Sequence, residues 1–430
     1  MNIKTLLPLD TSNLKYLLGK GGISFLFRML GMGLSFYIID LVSNAYNVDT
    51  YGNFSLVQST ILVLTMIFTL GIQNVLIINV ATTNPDDYSA QLNILFKAIK
   101  LILFTSIIPI IVIYLFSKFI AINIFSKEIL QHDFKNIALF LLPFLLHEII
   151  LYFFVARKKF ISFGLFMFVL PNTFFILLVL ICKKILIQNI NVTLLYGLSF
   201  LITFLIEIIY IYKPFKIISN VISYKEIIKN ALPMMTSGLL LLLLNTTNVF
   251  MLGIMSTSKS VGIYNASYKI GLLVLLVLAS VNVIIGPKIA ELFHKNKIAE
   301  LKKIIHQSTY FTAIMTLPIV LFLLVFNKDL LAYLGSNFQE GSTVLTITIF
   351  ASFFSAISGN VDQILNMSNN QNTLLRINLI CLVINILLCY ILIPKYDIVG
   401  AAIASMFSTV LMNLICNIYI KKKLGFFTFF

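Results

Sequence analysis

Charge is scarce in this chain. Only 11% of its 430 residues are Asp, Glu, Lys or Arg, against about 25% in soluble domains, while 59% are hydrophobic and the mean hydropathy is +1.00. This excludes a water-soluble globular protein, because no single core of this length could bury so much apolar surface, and it leaves no soluble domain of useful size. Cysteine is sparse too: Cys182, Cys381, Cys389 and Cys416 lie in apolar runs with no CxxC pair, the pattern of small core residues. His132, His147, His294 and His306 lack metal-ligand spacing. There is no Walker-type loop, GxSxG or HExxH, so neither a hydrolase nor a self-contained ATP-driven pump is written here, and no cofactor is expected. Tryptophan is absent altogether; with Ile, Lys, Asn and Phe abundant, this suggests an AT-rich bacterial genome. The opening segment MNIKTLLPLDTSNLKYLLGK has no compact apolar stretch with a cleavage site and is read as a cytoplasmic lead-in, not a signal peptide.

What is present is a series of apolar runs long enough to cross about 30 Å of hydrocarbon as helices. Twelve are expected, over 17–41, 54–80, 98–117, 137–155, 161–182, 193–212, 231–255, 265–286, 308–326, 343–366, 374–393 and 398–420. Both termini and one set of alternate loops hold most of the Lys and Arg, including Lys97, Lys100, Arg157, Lys158, Lys159, Lys213, Lys216 and Lys421 to Lys423; the opposite set holds few. The positive-inside rule then puts both termini in the cytoplasm. The formal net charge of +15 is thereby explained by inner-face loops, and no nucleic acid is implied. The basic stretch from Pro287 to Gln307 is expected to form a short amphipathic helix on the inner leaflet.

The chain also reads as one unit written twice. Gly52 (YGNFS) and Gly262 (VGIYN) sit in similar turns 210 positions apart, Pro109 and Pro318 lie in matching apolar runs 209 apart, and Gly197 and Gly400 are 203 apart. Six spans per repeat is an even number, so the repeats are parallel. The expected fold is an all-α integral membrane protein with two parallel six-helix lobes, 1–215 and 216–430, and a substrate cleft between them. Lys213 to Lys229 would link the lobes.

Ionisable groups inside the bilayer cost at least about 2.5 kcal/mol at a helix centre, which makes them functional candidates. Arg28 is the sharpest, seven residues beyond Gly21 in the first span. A guanidinium there would grip an anionic head group such as a pyrophosphate, or tie two helices together. Lys269 could serve similarly or snorkel to the interface. Asp362, Glu207 and Glu148 are candidates for ion coupling, or for carboxylates that merely face water. His147 adjoins Glu148, but neighbours on a helix point about 100° apart and cannot share a face. Asn245 and Asn248 would line the cleft or, with Asn172, Asn282, Asn360, Asn378, Asn385 and Asn413, bond helix to helix. Pro109, Pro143, Pro171, Pro233 and Pro318 would kink their helices.

Three segments carry a resemblance: LIPKYDIVGAAIASMFS (Leu392 to Ser408), VGIYNASYKI (Val261 to Ile270) and DTYGNFSLVQS (Asp49 to Ser59). In this order and spacing they resemble polysaccharide flippases of the O-antigen (Wzx) type, in the multidrug/oligosaccharidyl-lipid/polysaccharide exporter superfamily. The resemblance implies twelve to fourteen helices in two lobes that alternate between inward-open and outward-open states. Its cargo would be an undecaprenyl-pyrophosphate-linked oligosaccharide, moved from the cytoplasmic to the periplasmic leaflet of a bacterial inner membrane before polymerisation into lipopolysaccharide O-antigen. A polysaccharide polymerase and a chain-length regulator would then be partners, beside membrane lipids. One departure matters: where many relatives have an Asp-Arg or Asp-Lys pair in the seventh helix, this chain has Asn248 and Val249. The rival readings are a cation-coupled drug antiporter, a lipid II flippase, which usually has fourteen helices, and a membrane-embedded polymerase or ligase, which normally needs a large outward loop. The longest candidate for such a loop, around Ser117 to Asn136, has about twenty residues.

Overall fold

Polar caps decide where the spans begin. Asn47 accepts the Thr50 amide at 2.7 Å and starts one helix, and Thr257 accepts the Ser260 amide at 3.1 Å and starts another. These are side-chain N-caps, each satisfying one of the donors a helix start leaves free. They lie 210 positions apart. Gly52 and Gly262 are therefore in the first turns of helices, where the sequence pattern suggested turns ahead of them.

The computed structural model describes residues 11–84, 87–184, 191–212, 224–368 and 370–429. The lead-in before Thr11 and most of the expected linker from Lys213 lie outside them. The described residues form helices and no strands. We number them α1 Thr11–Ala45, α2 Val48–Phe68, α3 Ile72–Thr82, α4 Tyr88–Leu115, α5 Leu130–Ala156, α6 Phe160–Lys184, α7 Val192–Ile211, α8 Tyr224–Met255, α9 Ser258–Gly271, α10 Leu275–His294, α11 Ile298–Val325, α12 Asn327–Tyr333, α13 Ser342–Ile357, α14 Val361–Met367 and α15 Gln371–Leu424. Eleven helical segments among the described residues are long and apolar enough to cross a membrane. The last, α15, runs for 54 residues and is broken at Asp397 (φ 46°, ψ −124°). It is long enough for two spans in one element, which brings the candidate spans among the described residues of this multi-pass membrane protein to about twelve.

Packing divides the chain into two units, Ile23–Leu242 and Leu243–Phe430 together with Met1–Gly22. In the first, α5 is the central helix: Leu141, Leu145, Ile149 and Phe153, four residues apart, are all inaccessible, and α2, α3, α4 and α7 pack around it. In the second, Ile285, Ile289, Leu301, Ile305, Ile364 and Cys416 belong to one core drawn from α10, α11, α14 and α15. The lipid-facing stripes repeat between units. Phe104, Ile107, Ile111 and Leu115 on α4 and Ile314, Leu317, Leu321 and Val325 on α11 are all exposed, at positions 210 apart. Large apolar side chains left outside at a spacing of three or four are a hydrocarbon-facing surface.

Three irregularities interrupt this regular frame. The second expected span breaks at Leu70 (φ 53°) and Gly71 (φ 75°), and a Cβ on Gly71 would stand 2.4 Å from the Ala231 carbonyl oxygen. Only glycine lets the α8 backbone come so close. α6 contains a π-turn, Leu165–Val169, just ahead of Pro171. Proline lacks the amide that would bond back one turn, and the widened turn absorbs the mismatch. The tenth span breaks at Gly359 (φ 80°) between α13 and α14. The freed Ser358 carbonyl accepts from Asn417 Nδ2 at 3.1 Å and from the Thr428 hydroxyl, while Asn417 Oδ1 takes the Thr428 amide at 3.0 Å. His306 Nε2 meets the Phe427 carbonyl at 2.8 Å. The tail that follows α15 thus folds back over the break, with Thr428 inaccessible and Phe426 4% exposed.

The amphipathic surface helix expected over Pro287 to Gln307 does not form. α10 and α11 extend through it and join in a turn at Lys295 to Lys297. Ile289, Leu292, Leu301, Ile304 and Ile305 supply a continuous buried face, and Lys288, Glu291 and Lys295 pair along the exposed one at 2.9 and 2.8 Å. Lys295, followed by Lys288, holds the Glu291 carboxyl down at about 2.

Asp397 carries the most testable local feature. Its two carboxylate oxygens accept the Ser256 hydroxyl at 2.5 Å and the Ser260 hydroxyl at 2.6 Å, fastening the α8–α9 turn to the kink of α15. Hydrogen bonds to a charged group are worth about 1.5–3 kcal/mol, against about 1–3 kcal/mol of strain for a side chain at this φ and ψ. Asp397→Gly loses the bonds and relieves the strain, whereas Asp397→Ala loses the bonds and keeps it. Asp397→Ala is therefore expected to lower the unfolding midpoint more than Asp397→Gly. The four free, buried cysteines make a thiol-reactive dye the natural probe; equal midpoints would contradict the assignment.

Candidate functional site

In a bilayer a hydroxyl or amide either bonds its own helix or reaches another. Most hydroxyls here take the first course: Ser55 to the Tyr51 carbonyl at 2.9 Å, Thr203 to Ser199 at 2.8 Å, Thr316 to Thr312 at 2.8 Å. The groups that depart from this pattern define the candidate sites. One lies in each unit.

In the unit Ile23–Leu242, α5 and α7 bring His147 and Glu207 together, with Nδ1 2.9 Å from Oε1 and exposures of 4% and 0%. The sequence pattern had placed His147 beside Glu148 and ruled out a shared face; the structure supplies the partner from the neighbouring span instead. An aromatic cluster packs against His147. The His147 ring meets Phe200 edge-on at 5.1 Å, Phe200 lies 4.5 Å from Phe144, and Tyr196 stands 4.9 Å from Phe200. Glu148, half-buried, follows His147 on α5. The helices are also pinned at their other end, where Asp133 Oδ1 accepts both Asn191 Nδ2 and the Thr193 hydroxyl at 2.8 Å, while Asn191 caps α7.

The unit Leu243–Phe430 carries a neutral cluster. Asn248, 1% exposed, accepts Asn385 Nδ2 at 3.1 Å, and Cys389 Sγ lies 3.1 Å from the same oxygen. Asn248 is thus a buried tie between α8 and the first half of α15. Asn245, one turn earlier, is exposed.

The remaining candidates stand apart from these clusters. Arg28 is exposed on α1, its guanidinium 5.8 Å from the centre of the Phe168 ring in the π-turn of α6. It belongs to the first unit, whereas Lys269, Asn245 and Asn248 belong to the second. Lys269 is half-buried near the end of α9. Asp362 lies in the first turn of α14 just after the Gly359 break, and its Oδ1 is buried without a hydrogen-bond partner among the described residues. Sequence reasoning missed Asp397, whose signal was a carboxylate inside the Leu392 to Ser408 motif following Pro394, and it missed the His147–Glu207 pairing, which needs knowledge of which spans touch.

Removing one member of a buried pair costs about 3–5 kcal/mol, because the other is left uncompensated, whereas replacing both with apolar groups is close to neutral. His147→Leu and Glu207→Leu are each expected to destabilise the protein strongly, and the double variant to recover most of the loss. Unfolding followed through cysteine labelling measures this; additive losses would show that the pair does not interact.

Comparison with known proteins follows this geometry. The family model described as "Polysaccharide biosynthesis protein" matches residues 17–293, more than half of the chain, and the MatE model matches 233–391. The "Probable low-salt glycan biosynthesis flippase Agl15" of Haloferax volcanii is 26% identical over 162 residues, 37% of this chain and 34% of that protein. The "Probable flippase AglR" of the same organism is 23% identical over 171 residues, 39% of this chain and 36% of that protein. The chain thus matches about a third of the length of these curated relatives. An inward-facing multidrug resistance MATE family transporter of the MOP superfamily superposes with a TM-score of 0.76 at 12% identity, covering 93% of this chain and 94% of that one. The lipid II flippase MurJ, in an inward closed conformation, gives 0.75 at 15% identity, covering 94% and 87%. These structures show a shared fold, and the family model shows the lineage: the chain belongs to the polysaccharide biosynthesis protein family, with the fold of the MOP superfamily transporters.

Proposed function

We propose that this protein is a flippase for a lipid-linked oligosaccharide. The cargo is an undecaprenyl-pyrophosphate-linked repeat unit of the O-antigen class or a related polysaccharide. It moves from the cytoplasmic to the periplasmic leaflet of a bacterial inner membrane, with both termini cytoplasmic, through alternating access of two lobes, 1–215 and 216–430, driven by an ion gradient. The protein acts as a transporter and catalyses no bond change.

The observation that carries this reading is Arg28. It lies within the spanning segment Leu26–Ala45, exposed, against an aromatic ring. No carboxylate pairs with it among the described residues. A guanidinium held so in a membrane helix is suited to a divalent anionic head group, which it can bind through two parallel hydrogen bonds. Lys269, Asn245 and Asn248 are proposed as further cargo contacts, and Asp362, Glu207 and Glu148 as coupling candidates. Both Haloferax relatives are named as flippases, one of them for glycan biosynthesis, and with the polysaccharide biosynthesis family model this supports a glycan-bearing lipid as cargo.

A second reading, a cation-coupled drug antiporter, is favoured by the MatE model over 233–391 and by the MATE superposition. A polymerase or ligase is disfavoured because Ser117 to Asn136 is occupied by a short helix, a π-turn and the start of α5, not by a large loop. In vesicles that carry the lipid-linked repeat unit, flux is expected with the native chain and should disappear in Arg28→Ala. Unchanged flux in the folded variant would remove Arg28 from the site.

A further inference from the structure

The two units solve the same crossing differently. Where α13 meets the second half of α15, Asn413 Nδ2 donates to the Ser355 hydroxyl at 3.1 Å, a neutral tie between the tenth and twelfth spans. Where α5 meets α7, between the fourth and sixth spans, the tie is His147 against Glu207 at 2.9 Å. A neutral bond therefore suffices to hold such a crossing. An ionisable pair in hydrocarbon is the costlier choice, and the fold does not require it.

The chemistry of the pair selects a proton. One imidazole and one carboxylate offer too few oxygens to replace the hydration shell of an alkali cation, and no group of three metal-ligating side chains occurs among the described residues. Phe200 packs edge-on against His147 and is itself backed by Phe144, and the nearby Thr203 hydroxyl is spent on its own helix. With one proton bound by the pair, on the imidazole or on the carboxyl, it is electrically neutral. If that proton leaves to water, a neutral imidazole and a bare carboxylate remain. Burying that carboxylate is unfavourable, so the unloaded pair favours a conformation open to water and the loaded pair one that is closed. Proton content and conformation then bias one another, which is what coupling requires.

The other titratable groups on the elements packed against α5 and α7 fall into two sets. Near the pair are Glu148, the phenols Tyr152 and Tyr196, and Lys97. α4 is aligned with α5 where Arg157 lies 4.3 Å over the Tyr88 ring, and equal helical rise then puts Lys97 at about the level of Glu148. Lys100 on α4, by the same alignment about level with Leu145, and Tyr210, one turn beyond Glu207 on α7, also lie near the pair; towards or at the helix ends lie Asp49 and Tyr51 on α2, Tyr88 and Tyr114 on α4, His132, Asp133, Lys135 and Arg157 on α5, and Cys182, Lys183 and Lys184 on α6. α3 carries none.

We propose that the His147–Glu207 pair is a proton-binding site and that the proton is the ion coupled to transport. The site stands on the geometry above; the coupling rests on the flippase reading. Infrared difference spectra of the purified protein between acidic and alkaline pH test the site without any cargo. The protonated-carboxyl absorption of the native chain is expected to lose one component in Glu207→Gln and to keep that component in the exposed-site control Glu340→Gln. A hydrophobic carbodiimide, which attacks protonated carboxyls, should label Glu207 of the native chain, less as pH rises, with the adduct located by mass spectrometry. This arm needs no variant to fold. A difference spectrum unchanged in Glu207→Gln, or no adduct on Glu207 at any pH, overturns the site. In vesicles with the lipid-linked repeat unit, an imposed pH gradient should accelerate flux in the native chain and in the exposed-site control Glu340→Gln, and have no effect in Glu207→Gln. A gradient effect that persists in that variant overturns the coupling. A Glu207 that titrates in a protein that moves no such lipid overturns the flippase reading and leaves the site.

Discussion

Hydrocarbon offers no hydrogen bonds, and the rest of this structure follows from that. Each backbone amide and carbonyl crossing the bilayer has to be bonded within the protein, which leaves helices as the elements available to a chain of this composition. The same constraint decides where helices can stop being helical. At Gly359 the freed Ser358 carbonyl is met by Asn417 and Thr428. At Leu70 and Gly71 the Thr69 carbonyl still receives the Ile72 amide, and the α8 backbone closes in. At Asp397 the side chain itself takes up hydroxyls from the neighbouring turn. Each break sits where neighbouring groups can cover it.

Symmetry in the scaffold and asymmetry in the chemistry have the same origin. Helix starts, lipid-facing stripes and in-helix prolines repeat at offsets of 209 or 210, because these are what any six-helix unit needs to enter, kink and face lipid. Polar side chains inside the spans answer to a different demand. Asn248, Asn385 and Cys389 form a neutral buried knot in one unit, while the other holds His147 against Glu207 and presents Arg28 on its surface. Duplication preserved the frame, and the ionisable groups diverged upon it.

What could be read from the sequence follows this division. Hydropathy and length place the spans because burial in lipid is a property of each run by itself, and the twelve expected runs correspond to the twelve crossings. The break at Gly71 was hidden inside a run read as one continuous span, and that at Gly359 lies in a polar patch, Ser358 to Gln363, inside the tenth. The stretch from Pro287 to Gln307 misled because its lysines read as a surface helix, when Ile289, Leu301 and Ile305 anchor it to a core that the linear pattern does not display. His147 shows the limit most plainly. Its neighbour along the chain, Glu148, is the residue that helical geometry forbids as a partner, and Glu207, sixty positions away, is reached only once α5 and α7 are known to pack. Asp397 was legible as part of a motif, yet its strained backbone and its two serine partners were not.

A single comparison bears most directly on the function. The native chain is reconstituted into liposomes that hold both a fluorescent pyrophosphoryl-linked oligosaccharide lipid and a cationic dye, and the leaflet of the one and the efflux of the other are followed together with membrane-impermeant quenchers. The account predicts that the lipid-linked sugar changes leaflet at a protein-dependent rate while the dye stays in place. Dye efflux with a stationary lipid would contradict it.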